Sequence, residues 1–250
     1  MIGTTDLAAH PPTPWRAILA SVPVWALAVA ILADSWGYTT METCLPLYMH
    51  DVFGIDMTKT GAFSAVPFVS AMVSAPVAGL FADWLRAPGR LSTNVVRKIF
   101  CGVGYIVTSG FLILAGYISY NSAVAVAIMF AILTSSSVAF TTVATNQLDL
   151  APLHAGKIMG LTSAIMNLAS IAGPHAVGVL TSHRSTRSEW QNVFLLAAGV
   201  FAVGGIIYVI FGSGNRQSWA DDCSSVERST TIDPNKQHMN DEKATHFPEQ

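Results

Sequence analysis

Six apolar runs divide this chain, at residues 22–48, 61–82, 99–118, 123–145, 155–180 and 193–212. A helix needs roughly 20 apolar residues to cross the hydrocarbon of a bilayer, whereas a membrane strand needs only about 9–11. Without water, only helices and closed barrels satisfy their own backbone polar groups. Runs of this length predict an all-α, multi-pass membrane protein with six transmembrane helices. The charge content agrees. Of 250 residues only 11% are Asp, Glu, Lys or Arg, less than half of the roughly 25% usual in a soluble domain. Residues 1–21 read as a polar lead-in that lacks the basic-then-apolar order of a cleavable signal peptide. Residues 213–250 are polar with mixed charge and read as a disordered tail.

Positive charge sets the expected sidedness. The link between the second and third spans holds Arg86, Arg90, Arg97 and Lys98 against one acid, Asp83, and the next link holds no basic residue. The positive-inside rule places the first of these links in the cytosol. With an even number of spans both termini are then cytosolic, in line with Arg16 and Arg216; Arg184 and Arg187 on the outer side count against the scheme.

Several function classes find no support. There is no nucleophile with a base at usable spacing and no phosphate-binding glycine loop. Cys44, Cys101 and Cys223 have neither disulfide nor metal-ligand spacing. No basic stripe suits a nucleic acid. The expectation is therefore a non-enzyme with no cofactor, no metal and no nucleic-acid partner, whose surroundings are the lipid bilayer.

The polar residues inside the spans stand out. With the first span entering at Val22, Asp34 lies about 18 Å along it, at 1.5 Å per residue, near the bilayer centre, and Glu42 lies near the far interface. Asp34, Tyr38 and Glu42 follow an i, i+4, i+8 stripe. A mid-membrane Asp costs roughly 2.5–3.5 kcal/mol on insertion scales, and such residues face a bundle interior or an aqueous cavity. Asp34 is read as a cavity-lining group that binds a proton or cation or repels anions, set against a buried carboxylic acid that serves only as a hydrogen-bond donor. Glu42 is read as an interfacial acid with access to water, and His175 as a buried hydrogen-bonding residue of the fifth span. Small residues four apart (Gly61/Ala65, Ala75/Gly79, Gly156/Gly160, Ala169/Gly173) predict close helix packing.

At the end of the second span stands "GLFADWLRAPGR", in which Gly79 allows close helix contact and Asp83 can pair with Arg86 or Arg90. It resembles the G-x-x-x-D-x-x-G-R-type loop of the major facilitator superfamily, where a charged loop latches one conformation. "TPWRAILASVPVWALAVA", "LPLYMHDVFGI", "GAFSAVPF", "LSTNVVRKIF", "NQLDLAP", "GKIMGLTSAIMNLASIAGP", "SEWQNVFLLAA" and "FGSGNRQSWA" follow in that order. Together they resemble the anion:cation symporter branch, which includes vesicular glutamate transporters, the lysosomal sialic acid transporter and sodium-dependent phosphate transporters. The resemblance runs from Pro14 to Ala220 and covers only the C-terminal six-helix half of that fold.

The resemblance implies transport of a small organic or inorganic anion, coupled to a proton or sodium and driven by alternating access, in a plasma, vesicular or lysosomal membrane. The implied pathway residues are Asp34, Tyr38, Thr39, Asn146, Ser163 and Asn167; the implied gating loop is Gly79, Asp83, Arg86 and Arg90. Aligned on Trp36 and Pro46, Asp34 falls where the glutamate transporters carry a substrate-facing arginine. Thr39 replaces a tyrosine, Ile31 a histidine of the sialic acid transporter, Gln147 a histidine, and Ser163 an asparagine. Asp149 is expected to cap or latch its helix beside Lys157. Substrate sits between two halves that rock about it, so this chain, read as a fragment or truncated form, is expected to need the N-terminal half. The alternative is a non-transporting six-helix module that assembles with or regulates a full-length transporter.

Overall fold

The computed structural model describes residues 13–55, 57–87, 90–118, 121–181 and 186–220. A short helix α1 (Trp15–Ala20) leads into six long ones: α2 (Val22–Phe53), α3 (Met57–Leu85), α4 (Thr93–Ile118), α5 (Ser122–Leu150), α6 (Ala155–Leu180) and α7 (Arg187–Phe211). Two 3₁₀ turns, Pro152–His154 and Ser218–Ala220, complete the order, and no strand occurs among the described residues. All six long helices are long and apolar enough to span a bilayer.

Local chemistry sets where these helices start and stop. Pro23 sits in the first turn of α2, where its missing N–H costs nothing. Gly54 ends α2 in the left-handed conformation, φ 64°, a region that glycine enters without a Cβ penalty. The Asn121 side chain accepts the Ala123 N–H at 2.9 Å to start α5, and Thr186 with Glu189 forms a capping box on α7. Pro46 and Pro174 lie inside α2 and α6, and both helices run through them.

The helices pack as a centre with two flanks. α2 lies against α6, α7 and α5; α4 lies against α5 and α7; α3 packs mainly on α5. Within the core the chains approach closely through small residues. A Cβ on Gly104 would meet the Ala139 Cβ at 2.7 Å and the Ser135 carbonyl oxygen at 3.2 Å. One on Gly173 would meet Thr40 Oγ1 at 2.6 Å and the Trp36 carbonyl oxygen at 2.9 Å. The Ala169/Gly173 spacing thus marks a real seam, whereas Gly79, Gly156 and Gly160 have open space where a Cβ would go.

Buried hydroxyls join the helices. Tyr105 Oη donates to the Ala30 carbonyl at 3.0 Å, and Ser109 Oγ donates to Ala198 across α4 and α7 at 3.0 Å. Tyr105 meets Phe201 edge-on at 5.4 Å. At one end of the bundle, Tyr48, Phe53, Trp190 and Phe194 form an aromatic knot, and Trp190 Nε1 donates to Asp51 at 3.3 Å.

Residues 213–220 do not behave as the start of a tail. They fold back on the bundle, with Ala220 fully buried and the Gln217 N–H donating to the Leu150 carbonyl at 2.9 Å. The remainder of the expected tail, 221–250, lies outside the described residues, as do residues 1–12 of the lead-in and Arg184.

Two glycines of one helix give a matched test of the close packing. Gly104→Ala should cost about 1–3 kcal/mol, the usual cost of overpacking, and lower the melting temperature of the detergent-solubilised chain. Gly110→Ala has nothing within 4 Å and should leave the melting temperature equal or higher, because alanine favours helix by about 1 kcal/mol. Equal melting temperatures for the two variants would contradict the α4–α5 contact.

Candidate functional site

The pathway residues expected from the sequence separate into three places. The first is the seam between α2 and α6. Ser35 Oγ and Ser170 Oγ lie 2.8 Å apart, Thr39 Oγ1 donates to Ser170 Oγ at 3.1 Å, and both serines donate to the Met166 carbonyl at 3.0 Å. Tyr38 stands beside this ladder, 37% exposed, edge-on to Phe68 of α3 at 5.9 Å. On α6, exposed Asn167 donates to the Ser163 carbonyl at 2.9 Å. Tyr38, Thr39, Ser163 and Asn167 thus belong to two neighbouring helices, with the hydroxyl ladder between them. Glu42 is exposed on α2, and His175, expected to be buried, is exposed on α6; Gly173 and Val177, not His175, occupy the buried face of that helix.

The second place is the core. Asp34 is only 5% exposed, and Ser136 Oγ of α5 donates to its Oδ1 at 2.5 Å. The i, i+4 stripe of Asp34 and Tyr38 therefore divides, with Tyr38 toward the open side and Asp34 turned into the packed centre. Ser136 was missed by reading spans singly. A signal exists in the sequence: Asp34 and Ser136 lie twelve and thirteen residues into the apolar runs beginning at 22 and 123. Because these two spans run in opposite directions, the counts, taken from opposite faces, put both residues in the middle part of the bilayer.

The third place is the charged end of the bundle. Arg86 pairs with Asp83 at 2.5 Å and reaches Asp149 at 3.8 Å. Asp149 is held chiefly by Arg97 of α4, at 2.8 Å from both Nε and a terminal nitrogen. The expected latch beside Lys157 is thus replaced by a cross-helix pair, and the side chain of Arg97 is 5% exposed. A buried arginine needs such a partner, because removing it leaves an uncompensated charge. Arg90 stacks over Trp84, its guanidinium carbon 3.8 Å from the ring centroid, and takes no part in the Asp83 pair. Asn146 is fully buried and donates to the Ser213 carbonyl at 2.9 Å; it anchors the returning segment and does not point to an open face.

Electrostatically, the α2–α6 face is poor in positive charge. α2 contains no Lys or Arg, and α6 only Lys157, in its first turn. What the face offers is hydroxyl and amide groups, the phenol of Tyr38 and the acid of Glu42. On the other flank an open groove of about 590 Å³ between α3 and α5 is walled by Val69, Val73, Val77 and Phe130, and its Ser70 is engaged by Thr134 at 3.0 Å. Among the described residues no cluster of three His, Cys, Asp or Glu side chains could hold a metal ion.

Comparison with known proteins agrees with this architecture. The family model described as Major Facilitator Superfamily matches residues 3–174. Vesicular glutamate transporter 3 of Danio rerio is 39% identical over 210 residues, 84% of this chain and 35% of the relative. Vesicular glutamate transporter 2 of Homo sapiens is likewise 39% identical over 210 residues, 84% of this chain and 36% of the relative. The chain thus spans about a third of the length of the curated relatives it matches. Among solved structures, a POT family transporter in complex with a thioalcohol-conjugated peptide superposes with a TM-score of 0.55 at 15% identity, over 90% of this chain and 47% of that one. The E310Q mutant of peptide transporter POT in complex with sulfate gives 0.58 at 18%, over 86% and 47%. Those two likenesses carry the fold alone. The chain, a six-helix half of the corresponding fold, belongs to the Major Facilitator Superfamily, on the side of its vesicular glutamate transporter relatives.

Proposed function

We propose that this chain is the C-terminal half of an ion-coupled transporter for a small anion such as phosphate, sialate or glutamate, working by alternating access. The observation that carries the reading is the identity of 39% with vesicular glutamate transporters over 84% of the chain. The bundle supports it with a hydroxyl- and amide-bearing α2–α6 face on which Tyr38, Glu42 and Asn167 are exposed. Transporters of this architecture bind substrate near the midplane between two repeats. With Asp34 in place of the relatives' arginine and no Lys or Arg on α2, the positive charge that an anion needs comes from the other half. In this scheme the charged end of the bundle, with Asp83, Arg86, Arg90, Arg97 and Asp149, faces the cytosol, as do both termini. Tyr38, Thr39, Ser163 and Asn167 contact the substrate or its water.

Reconstitution into liposomes tests the division of labour. The chain alone should give no uptake of labelled phosphate, glutamate or sialate under a proton or sodium gradient. Co-expression with the first six helices of a vesicular glutamate transporter-like protein should restore uptake of at least one. Uptake by the chain alone would overturn the half-transporter reading, and its absence from every completed form would favour a non-transporting module that assembles with a full-length transporter.

In this proposal Asp34 carries the coupling ion, and Ser136 holds its carboxyl group in place. Asp34→Asn keeps the size and an oxygen for Ser136, so stability should change by no more than about 1 kcal/mol, the net worth of one hydrogen bond. Gradient-driven uptake by the completed transporter should fall about tenfold, equivalent to ~1.4 kcal/mol on the barrier, while counterflow exchange without a gradient is spared. Ser136→Ala should act in the same direction with a smaller loss. Unchanged gradient dependence in Asp34→Asn removes Asp34 from the coupling mechanism.

A further inference from the structure

Residues 213–220 connect three elements that otherwise have separate attachments. The Ser213 carbonyl accepts from Asn146 Nδ2 of α5 at 2.9 Å. The Gly214 N–H donates to Asn94 Oδ1 of α4 at 2.8 Å. The Gln217 N–H donates to the Leu150 carbonyl at 2.9 Å, satisfying one of the carbonyls that the end of α5 leaves without a helical partner. Trp219 then stacks on His154 of the 3₁₀ turn that begins α6, ring centroids 6.4 Å apart and 19° from parallel. The fit at Gly214 is tight: a Cβ there would stand 2.7 Å from Asn94 Cα and 2.9 Å from Asn94 N, backbone atoms that cannot step aside.

The two ends of this segment are held differently. Toward α4 and α5 it is pinned by three hydrogen bonds. Toward α6 it is held by a ring stack and by burial, and among the described residues none bonds the Trp219 Nε1 or the His154 Nδ1 enclosed there. α6 itself packs chiefly on α2 and only sparsely on α5 and α7; at this end the Trp219–His154 stack is joined as a tie by the hydrogen bond from Thr162 Oγ1 of α6 to Gln147 Oε1 of α5 at 3.3 Å.

We infer that residues 213–220 form a strap that makes the charged ends of α4 and α5 one body and clasps the start of α6 releasably. Opening begins at the Trp219–His154 clasp, lets the first turns of α6 move away from α5, and leaves the Asn94 and Asn146 anchors in place. The conformational freedom of this half is thereby concentrated at the α5–α6 joint. Arg97 and Asp149, which lock the last turn of α5 to α4, keep the other side of that joint rigid.

Hydrogen–deuterium exchange of the chain in detergent tests both ends without any transport assay, so the outcome is independent of the proposed function. In the unmodified chain, peptides over 212–217 should exchange far more slowly than an unstructured peptide of the same sequence, and those over 218–220 at an intermediate rate. Trp219→Ala should speed exchange over 218–220 and over the 152–157 turn by about tenfold or more, a local opening, with 212–217 unchanged. Gly214→Val should release the whole segment; should that variant fail to fold, Asn94→Ala removes one anchor with no added bulk and should speed 212–217. The proposal is overturned by free-peptide exchange over 212–217 in the unmodified chain, or by a Trp219→Ala variant that leaves the 152–157 turn as protected as before.

Discussion

A polar atom inside this bundle is costly unless another answers it, because a bilayer interior supplies no water to do so. For the backbone that requirement produces six uninterrupted helices. For the side chains it produces pairs that cross between helices: Asp34 with Ser136, Tyr105 with the Ala30 carbonyl, Ser109 with the Ala198 carbonyl, Ser35 with Ser170. Packing in lipid lacks the hydrophobic drive that assembles soluble cores, so helices associate through close approach and such bonds. The tight contacts at Gly104 and Gly173 are the other side of the same requirement.

The distribution of these pairs separates a bonded centre from two flanks. α2, α4, α5 and α7 share the bonds of Asp34, Tyr105 and Ser109 and the Tyr105–Phe201 ring contact. α3 and α6 form the flanks, each packed mainly on one neighbour. The polar face that the proposed transport uses lies along α2 and α6, where a central helix meets a flanking one. A substrate there would be sensed by a seam of hydroxyls that can exchange partners without breaking the core.

The charged end works by a different rule, since water reaches it. Asp83 is exposed and its bond to Arg86 is of the surface kind, worth little alone. Arg97 with Asp149 is the buried member, and neither partner is expendable once the other is enclosed. The same end of α5 is thus gripped by an ion pair to Arg97 and by the returning segment, which bonds it at Asn146 and Leu150.

From the sequence by itself came the all-α class and the six spans, because length and apolarity of a run suffice where the solvent forbids any other backbone arrangement. The family and its six-helix half came from the resemblance of the charged loop and the ordered motifs that follow it. The depth of Asp34 was also legible, since depth is only a count of residues along a helix. Which way each side chain turns was not. Asp34 and Tyr38 share a stripe by spacing, yet tertiary packing sends one into the core against Ser136 and leaves the other half-exposed. Asn146 has the type and place of a pathway residue, yet it is fully enclosed by a segment that composition marks as tail. Asp149 has Lys157 nearby in sequence and Arg97 nearby in space. In each case the decision rests on which helices become neighbours and how they are rotated. That is set by contacts 52 to 102 residues apart in sequence, such as Arg97 with Asp149, Asn146 with Ser213 and Asp34 with Ser136, and no periodicity within one span encodes them.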